Sequence, residues 1–173
     1  AQLSEGIRDP IKVYEFMNRF YVIEGNKRVS VLKFFDADTI SAYVIRKIPA
    51  QTEDVDIRLY YEFMKFYEAT GLNTVEFTRL GYANKLIDYI GAETPWNDRT
   101  REDFRGVHFY FARAYAQCGG KHLPITIGDA LTAFLKVYSY EDVLKMTPQE
   151  YAENVSKCWK EFVVLTETKS VDL

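Results

Sequence analysis

The stretch 21-YVIEGNKRVSVLK-33 joins a predicted strand to a predicted helix through a single glycine. Residues 21–24 are rich in aromatic and β-branched side chains, which favour a strand, and residues 29–32 have apolar positions that suit the start of a helix. Gly25 interrupts the run, and Lys27 and Arg28 follow it closely. A helix N-terminus presents unpaired N–H groups and a positive dipole, and a glycine lets an anion approach them. Taken alone, the stretch is therefore either a surface turn with solvated Lys27 and Arg28 in which Asn26 caps the helix, or a strand–turn–helix that can hold a phosphate.

The flanking sequence places this stretch in a small α+β unit. Residues 11–17 alternate apolar and polar side chains, and residues 20–24 form the second half of a predicted hairpin whose turn lies at 17–19. A helix is predicted from Gly25 to about Phe35, and another strand at 39–46. The predicted buried positions of the helix are Val29, Leu32 and Phe35.

Residues 49–56 are polar and acidic and predict a junction. Helical periodicity dominates after it. Helices are predicted at 57–70, 80–90, 100–118, 127–138 and 148–163, with a short extended segment at 74–77. The predicted fold class is therefore α+β: a small mixed sheet with helices in residues 1–49, followed by an aromatic-rich helical extension in residues 50–173. The extension is either separate or packed on the first unit as one domain.

The charge of the chain is uneven. The 173 residues have a net charge of −3, which does not suit a basic nucleic-acid binder as a whole. Residues 1–49 carry 8 Lys and Arg against 6 Asp and Glu, a balance of +2, whereas residues 50–173 carry 14 against 19, a balance of −5. A site for a polyanion is therefore expected in the first third of the chain.

The spacing of the cysteines and histidines and the hydropathy of the chain do not suggest a disulfide, a metal site or a membrane span. Cys118 and Cys158 are not in a CxxC pair, and His108 and His122 match no metal motif, so free thiols and no metal site are predicted. No signal peptide is evident and no apolar run approaches the roughly 18 residues that a membrane span needs. A cytoplasmic protein is expected. Because the chain opens on Ala1 within what reads as the end of a helix, we also expect it to be part of a longer protein.

A wider segment, GIRDPIKVYEFMNRFYVIEGNKRVSVLKFFDADTISAYVIRKI, resembles the ParB/sulfiredoxin-like domain over about residues 3–48. In that family a loop precedes the first strand of a hairpin, and a glycine box then opens a helix. Gly6–Ile7 and Pro10–Ile11 match the loop, residues 25–28 match the box, and residues 40–44 match the strand that follows.

The resemblance implies specific roles for these residues. The box Gly25, Asn26, Lys27 and Arg28 would bind a nucleotide or backbone phosphate, with Arg28 as the strongest correspondence. The loop would lie beside the base or ribose; its residues are Gly6, Ile7, Arg8, Asp9 and Pro10. The only cofactor implied is a nucleoside triphosphate with Mg²⁺. The implied context is a regulatory module of a larger bacterial protein, with transcription or DNA among its associations.

Departures from the family restrict this expectation. Sulfiredoxins have a catalytic Cys where this chain has Asn26, so repair of oxidised thiols is not expected. The E-N-x-x-R motif and helix-turn-helix of chromosome-partitioning ParB proteins are both missing, so CTP hydrolysis and direct reading of DNA are not expected either. No carboxylate cluster at metal-ligand spacing supports a nuclease.

Two alternatives to simple phosphate binding stay open. In the first, the box is vestigial and the aromatic helical region binds a protein partner or a second copy of the chain. In the second, the protein is a phosphotransferase or NTPase. A carboxylate near the pocket acts as a base in free-serine-kinase relatives of the domain, which makes Glu24 the candidate base by resemblance.

Overall fold

The computed structural model describes residues 9–37, 39–91 and 94–167, and the chain divides into two compact units, residues 1–53 and 54–173. In the described residues, the first unit contains the sheet and one helix, and the second is helical. The predicted α+β class, a small mixed sheet followed by a mostly helical region, is therefore confirmed.

The sheet of the first unit has three strands in the order β2-β1-β3. Strand β1 (Ile11–Phe16) pairs antiparallel with β2 (Arg19–Glu24) and parallel with β3 (Ala42–Arg46), which makes the sheet mixed. Met17 and Asn18 form the hairpin loop with φ of 52° and 58°. Two consecutive left-handed residues match the twist of the flanking strands, so a two-residue loop suffices.

The central strand β1 has one buried and one exposed face. Ile11, Val13 and Glu15 are buried, and the residues between them are exposed. The Glu15 carboxylate accepts a hydrogen bond from Arg46 Nε at 2.5 Å and another from the backbone N–H of Asn18 at 2.6 Å. A buried carboxylate is costly unless it is paired in this way.

Helix α1 (Asn26–Phe34) lies between β2 and β3 in the chain. Val29 and Leu32, predicted to be buried, are only half-buried, and the prediction for Phe35 is wrong, because that side chain is 71% exposed. The helix ends at Phe34, and Asp36 takes a left-handed φ of 51°. Phe35 therefore lies beyond the helix and does not share the half-buried face of Val29 and Leu32.

The second unit consists of helices and one short 3₁₀ turn. Asp54, Asn97, Thr126, Ser139 and Thr147 cap five of the helices with their side chains. The α-helices are α2 (Val55–Thr70), α3 (Tyr82–Ile90), α4 (Asp98–Gln117), α5 (Ile127–Val137), α6 (Tyr140–Lys145), α7 (Pro148–Lys157) and α8 (Trp159–Glu167).

The sequence prediction differs from the second unit in three places. Helix α6 was not predicted, and the single helix predicted at 148–163 is two helices that meet at Cys158. The extended segment predicted at 74–77 is not a strand. Side chains hold this loop instead, since Thr126 Oγ1 donates to the carbonyl of Glu76 at 2.7 Å and Asp129 accepts from the N–H of Thr78 at 3.1 Å.

Aromatic side chains form the core of the second unit. The largest of them are almost completely buried, and many meet edge to face. These are Phe66, Trp96, Phe104, Phe111, Phe134 and Phe162. Most of the aromatic content of the helical region is therefore used for packing. Among residues 9–37, 39–91 and 94–167, no helix combines the length and the apolar composition needed to cross a membrane.

Replacing Phe111 with Ala tests this core. We expect the free energy of unfolding of the second unit to fall by about 3–5 kcal/mol, because a large buried side chain leaves a cavity. Urea unfolding followed by tryptophan fluorescence reports on this unit, since Trp96 and Trp159 both lie in it. Phe109→Ala on the same helix is the matched control: Phe109 is 59% exposed, and we expect a change within about 0.5 kcal/mol. Equal losses in the two variants would contradict the assigned core.

Candidate functional site

The predicted phosphate box begins at Gly25, which precedes helix α1 with a left-handed φ of 104°. A Cβ at this position would lie 2.5 Å from Cγ2 of Ile11, well inside van der Waals contact. Both the conformation and the close approach therefore require glycine. The end of β2 comes against the first residue of β1, and the chain turns there into α1.

The first turn of α1 presents unpaired backbone donors. The first helical hydrogen bond runs from the N–H of Val29 to the carbonyl of Gly25, at 3.0 Å. Within the described part of the chain, the N–H groups of Asn26, Lys27 and Arg28 have no acceptor, and no side chain caps the helix. Asn26 is the first residue of the helix and its side chain does not act as the cap. These donors and the helix dipole suit an anion.

Arg28 connects the box to the loop before β1. Its Nη1 donates to the carbonyl oxygens of Asp9 at 2.7 Å and Pro10 at 3.3 Å. The structure thus brings together the box and the described end of the predicted base or ribose loop. The loop's other predicted residues, Gly6, Ile7 and Arg8, lie outside the described residues. Hydrogen bonds of Arg28 to described residues use Nη1 alone, which leaves its remaining guanidinium donors for a ligand.

Glu24 lies directly before the box but is engaged by Lys12. Lys12 Nζ is 2.8 Å from Glu24 Oε2, and more than half of each side chain is exposed. The hydrogen bond from Lys12, together with its charge, lowers the pKa of the Glu24 carboxyl. A lowered pKa makes a carboxylate a weaker general base, so this environment does not favour the catalytic role predicted for Glu24.

The donors of the box suit phosphate better than a metal ion. They are N–H groups and cationic side chains, and the described residues contain no group of three or more His, Cys, Asp or Glu side chains that could hold a metal. Mg²⁺ is usually bound through the phosphates of its nucleotide and only one or two protein carboxylates. Any Mg²⁺ at the box would depend on a bound triphosphate to supply most of its ligands.

Arg99, Arg101 and Arg105 of α4 form ion pairs along the helix. Arg101 contacts Asp98 at 3.2 Å and Arg105 contacts Glu102 at 3.1 Å, each three residues apart. His108, on the same helix, packs against Phe104, and burial lowers its pKa. These residues are accounted for by helix stabilisation and packing.

The structure also shows a group of exposed aromatic side chains that the sequence did not single out. They lie on the sheet of the first unit: Tyr14 and Phe16 on β1, Tyr21 on β2 and Tyr43 on β3. The signal was present, since β2 and β3 have apolar or aromatic residues at both alternating positions. Such a pattern is typical of a strand that is covered on both of its faces.

Comparison of the chain with family models, curated proteins and solved structures gives no match. The resemblance to the ParB/sulfiredoxin-like domain accordingly stays a prediction from the motifs of residues 3–48.

Replacing Gly25 with Ala tests the geometry of the box. We expect strain from the left-handed φ and a clash with Ile11, each of about 1–3 kcal/mol. Faster amide hydrogen exchange in β1 and β2 would report the loss. Gly81→Ala is the matched control, because Gly81 also precedes a helix with a left-handed φ of 81° but has open space where the Cβ would go. If Gly25→Ala destabilised its surroundings no more than Gly81→Ala does, the close approach would be refuted.

The pair between Lys12 and Glu24 predicts a specific pH dependence. Because the folded pKa of Glu24 is lowered, the pair stabilises the first unit above the ordinary pKa of a glutamate, and this contribution is lost as the pH falls through the lowered value. An NMR titration of the side-chain carboxyl carbon should give a pKa below the ordinary one. In Lys12→Met the pKa should return toward the ordinary value, and an unchanged pKa in that variant would show that Lys12 is not the cause.

Proposed function

We propose that this chain binds the phosphate of a nucleotide, or another phosphate ligand, at Gly25, Asn26, Lys27 and Arg28. We further propose that it serves as a ParB/sulfiredoxin-like regulatory module in a larger cytoplasmic bacterial protein. The observation that carries the first part is the start of α1, where a left-handed glycine precedes three N–H groups that have no acceptor among the described residues. Two cationic side chains flank the same turn.

Each part of the box supplies a different interaction. The N–H groups donate to phosphate oxygens at the positive end of the helix dipole. Lys27 is exposed and adds a mobile charge, whereas Arg28 adds a planar fork of donors that Asp9 and Pro10 hold in place through their carbonyls. A phosphate held here lies next to the described end of the loop, so the loop is well placed to contact the rest of the ligand.

The same residues favour binding over turnover. The family's thiol position is Asn26, which is not a nucleophile, and Glu24 is paired with Lys12. The phosphotransferase or NTPase alternative therefore has less support. The alternative of an interaction surface made by the aromatic helical region also has less support, because the largest aromatic side chains of that region are buried.

Calorimetric titration of the full chain with ATP, CTP, GTP and inorganic phosphate, each with and without Mg²⁺, tests the proposal. We expect binding by at least one of them, and Lys27→Ala should weaken it about 10- to 150-fold, since a hydrogen bond to a charged group contributes about 1.5–3 kcal/mol. Arg28→Lys should also weaken binding, because it keeps the charge but loses the fork.

Lys33→Ala is the matched control, since Lys33 lies in the last turn of the same helix. The Lys33→Ala variant should bind each of the four ligands with the same affinity as the unchanged chain. No affinity in the millimolar range for any of the four ligands would refute the proposal, and so would equal losses in Lys27→Ala and Lys33→Ala. Release of phosphate that is lost in Glu24→Gln, with binding retained, would instead support the enzyme alternative.

A further inference from the structure

One side of the sheet in the first unit carries a group of exposed aromatic side chains, here called the tyrosine face. Its three tyrosines belong to three different strands and are 38%, 53% and 64% exposed for Tyr14, Tyr21 and Tyr43. Phe16 and Ile45 complete it and are likewise exposed. Large apolar side chains grouped on one face, rather than scattered, mark a binding surface.

Strand pairing places these residues side by side. Tyr14 on the central strand pairs with Tyr21 on β2 and with Ile45 on β3, and Tyr43 pairs with Lys12. Paired residues lie on the same face of a sheet, with Cβ atoms about 4.5–5.5 Å apart across an antiparallel pair. Tyr21, Tyr14 and Ile45 therefore form a row across the sheet, on the face opposite the buried side chains of β1, and Tyr43 lies on the same face diagonally from Tyr14.

The rings of the tyrosine face are not used for packing against one another. Among the described residues, no aromatic ring stacks on Tyr14, Tyr21 or Tyr43, although many such pairs occur in the second unit. The contact made by Tyr14 is with a cation, since Lys47 Nζ lies 4.9 Å from the centre of its ring. The rings of Tyr21 and Tyr43 are thus left for a planar ligand, whereas Lys47 covers one face of the Tyr14 ring.

The charge around the tyrosine face is positive. Lys12, Arg19 and Lys47 border it, and Arg19 pairs with Phe16 in the β1–β2 register. Among the described strand residues, the acidic side chain at this border is Glu24, which Lys12 neutralises at 2.8 Å. Arg19 and Lys47 therefore leave the border net positive, which complements a polyanion. The same charges would repel one another if two copies of the face met.

We propose that the tyrosine face binds single-stranded nucleic acid. Bases stack on Tyr14, Tyr21 and Tyr43, and the phosphates between them contact Arg19 and Lys47. Aromatic side chains combined with basic ones are the usual means of holding single strands, because every base has a π-face. A duplex keeps its bases stacked inside and offers the face nothing to stack on. The negative charge of the whole chain does not conflict with this, since the first third carries a positive balance.

This surface is distinct from the phosphate box. Gly25 of the box approaches Ile11, which is buried on the other side of β1. The two proposals can therefore fail separately.

Fluorescence anisotropy with the full chain tests the inference, using a labelled oligouridylate, a labelled oligodeoxythymidylate and a labelled duplex. We expect the chain to bind a single strand more tightly than the duplex. Whether the oligouridylate or the oligodeoxythymidylate binds more tightly shows whether the face prefers RNA or DNA. Tyr21→Ala and Tyr43→Ala should each weaken binding about 5- to 150-fold, which corresponds to about 1–3 kcal/mol of stacking per base. Tyr43→Phe should retain binding, because its ring remains.

Two matched controls separate the face from general effects. Phe34 is an 81% exposed aromatic on α1, so Phe34→Ala should leave the affinity unchanged. Lys47→Ala should reduce the dependence of affinity on salt, whereas Lys33→Ala should not. The inference is overturned if neither single strand binds at low salt, if the duplex binds better, or if Tyr43→Ala and Phe34→Ala behave alike. It is also overturned if the chain sediments as a dimer that Tyr43→Ala dissociates, because the face would then be a protein interface.

Discussion

The close approach of Gly25 to Ile11 is the constraint on which the first unit depends. Any other residue at position 25 would bring a Cβ into the Ile11 side chain, and its φ would be strained. With glycine at position 25, the end of β2 can lie close to the first residue of β1, and α1 begins at the next residue. That turn leaves the first N–H groups of α1 unpaired within the described chain, and it places Arg28 one turn later, where it reaches the carbonyls of Asp9 and Pro10. The geometry of the phosphate box therefore depends on the close approach of Gly25 to Ile11.

A buried ion pair fixes the register of the sheet around that contact. Glu15 is inaccessible to solvent and pairs with Arg46 on the neighbouring parallel strand. A slip of one residue would turn every side chain of β1 to the opposite face and separate the two charges. We infer that this pair contributes more to the specificity of pairing than to net stability, since removing charges from water offsets most of their attraction. The second unit follows a different principle, because its core is built from aromatic side chains that need no charged partner.

Features that depend on neighbouring residues could be predicted from the sequence, whereas features that depend on contacts between residues far apart in the chain could not. The hairpin and the glycine before α1 were both predictable, because turn chemistry is encoded within a few residues. The exposure of Phe35 was not, because it depends on where α1 ends. The pairing of Arg46 with Glu15, and of Arg28 with the carbonyls of Asp9 and Pro10, joins residues far apart in the chain, and no single-sequence pattern specifies such contacts. The tyrosine face was missed for the same reason, since its members share a surface only after the three strands pair.

We propose that the N–H groups at the start of α1, which have no acceptor among the described residues, hold a phosphate. Amide chemical shifts in a ¹⁵N–¹H correlation spectrum, followed while inorganic phosphate is added at constant ionic strength, report on those groups directly. We expect the largest saturable shifts at the amides of Asn26, Lys27 and Arg28, with little change at Lys33 in the last turn of the helix. Shifts spread evenly along α1, or saturable shifts that leave residues 26–28 unaffected, would contradict it.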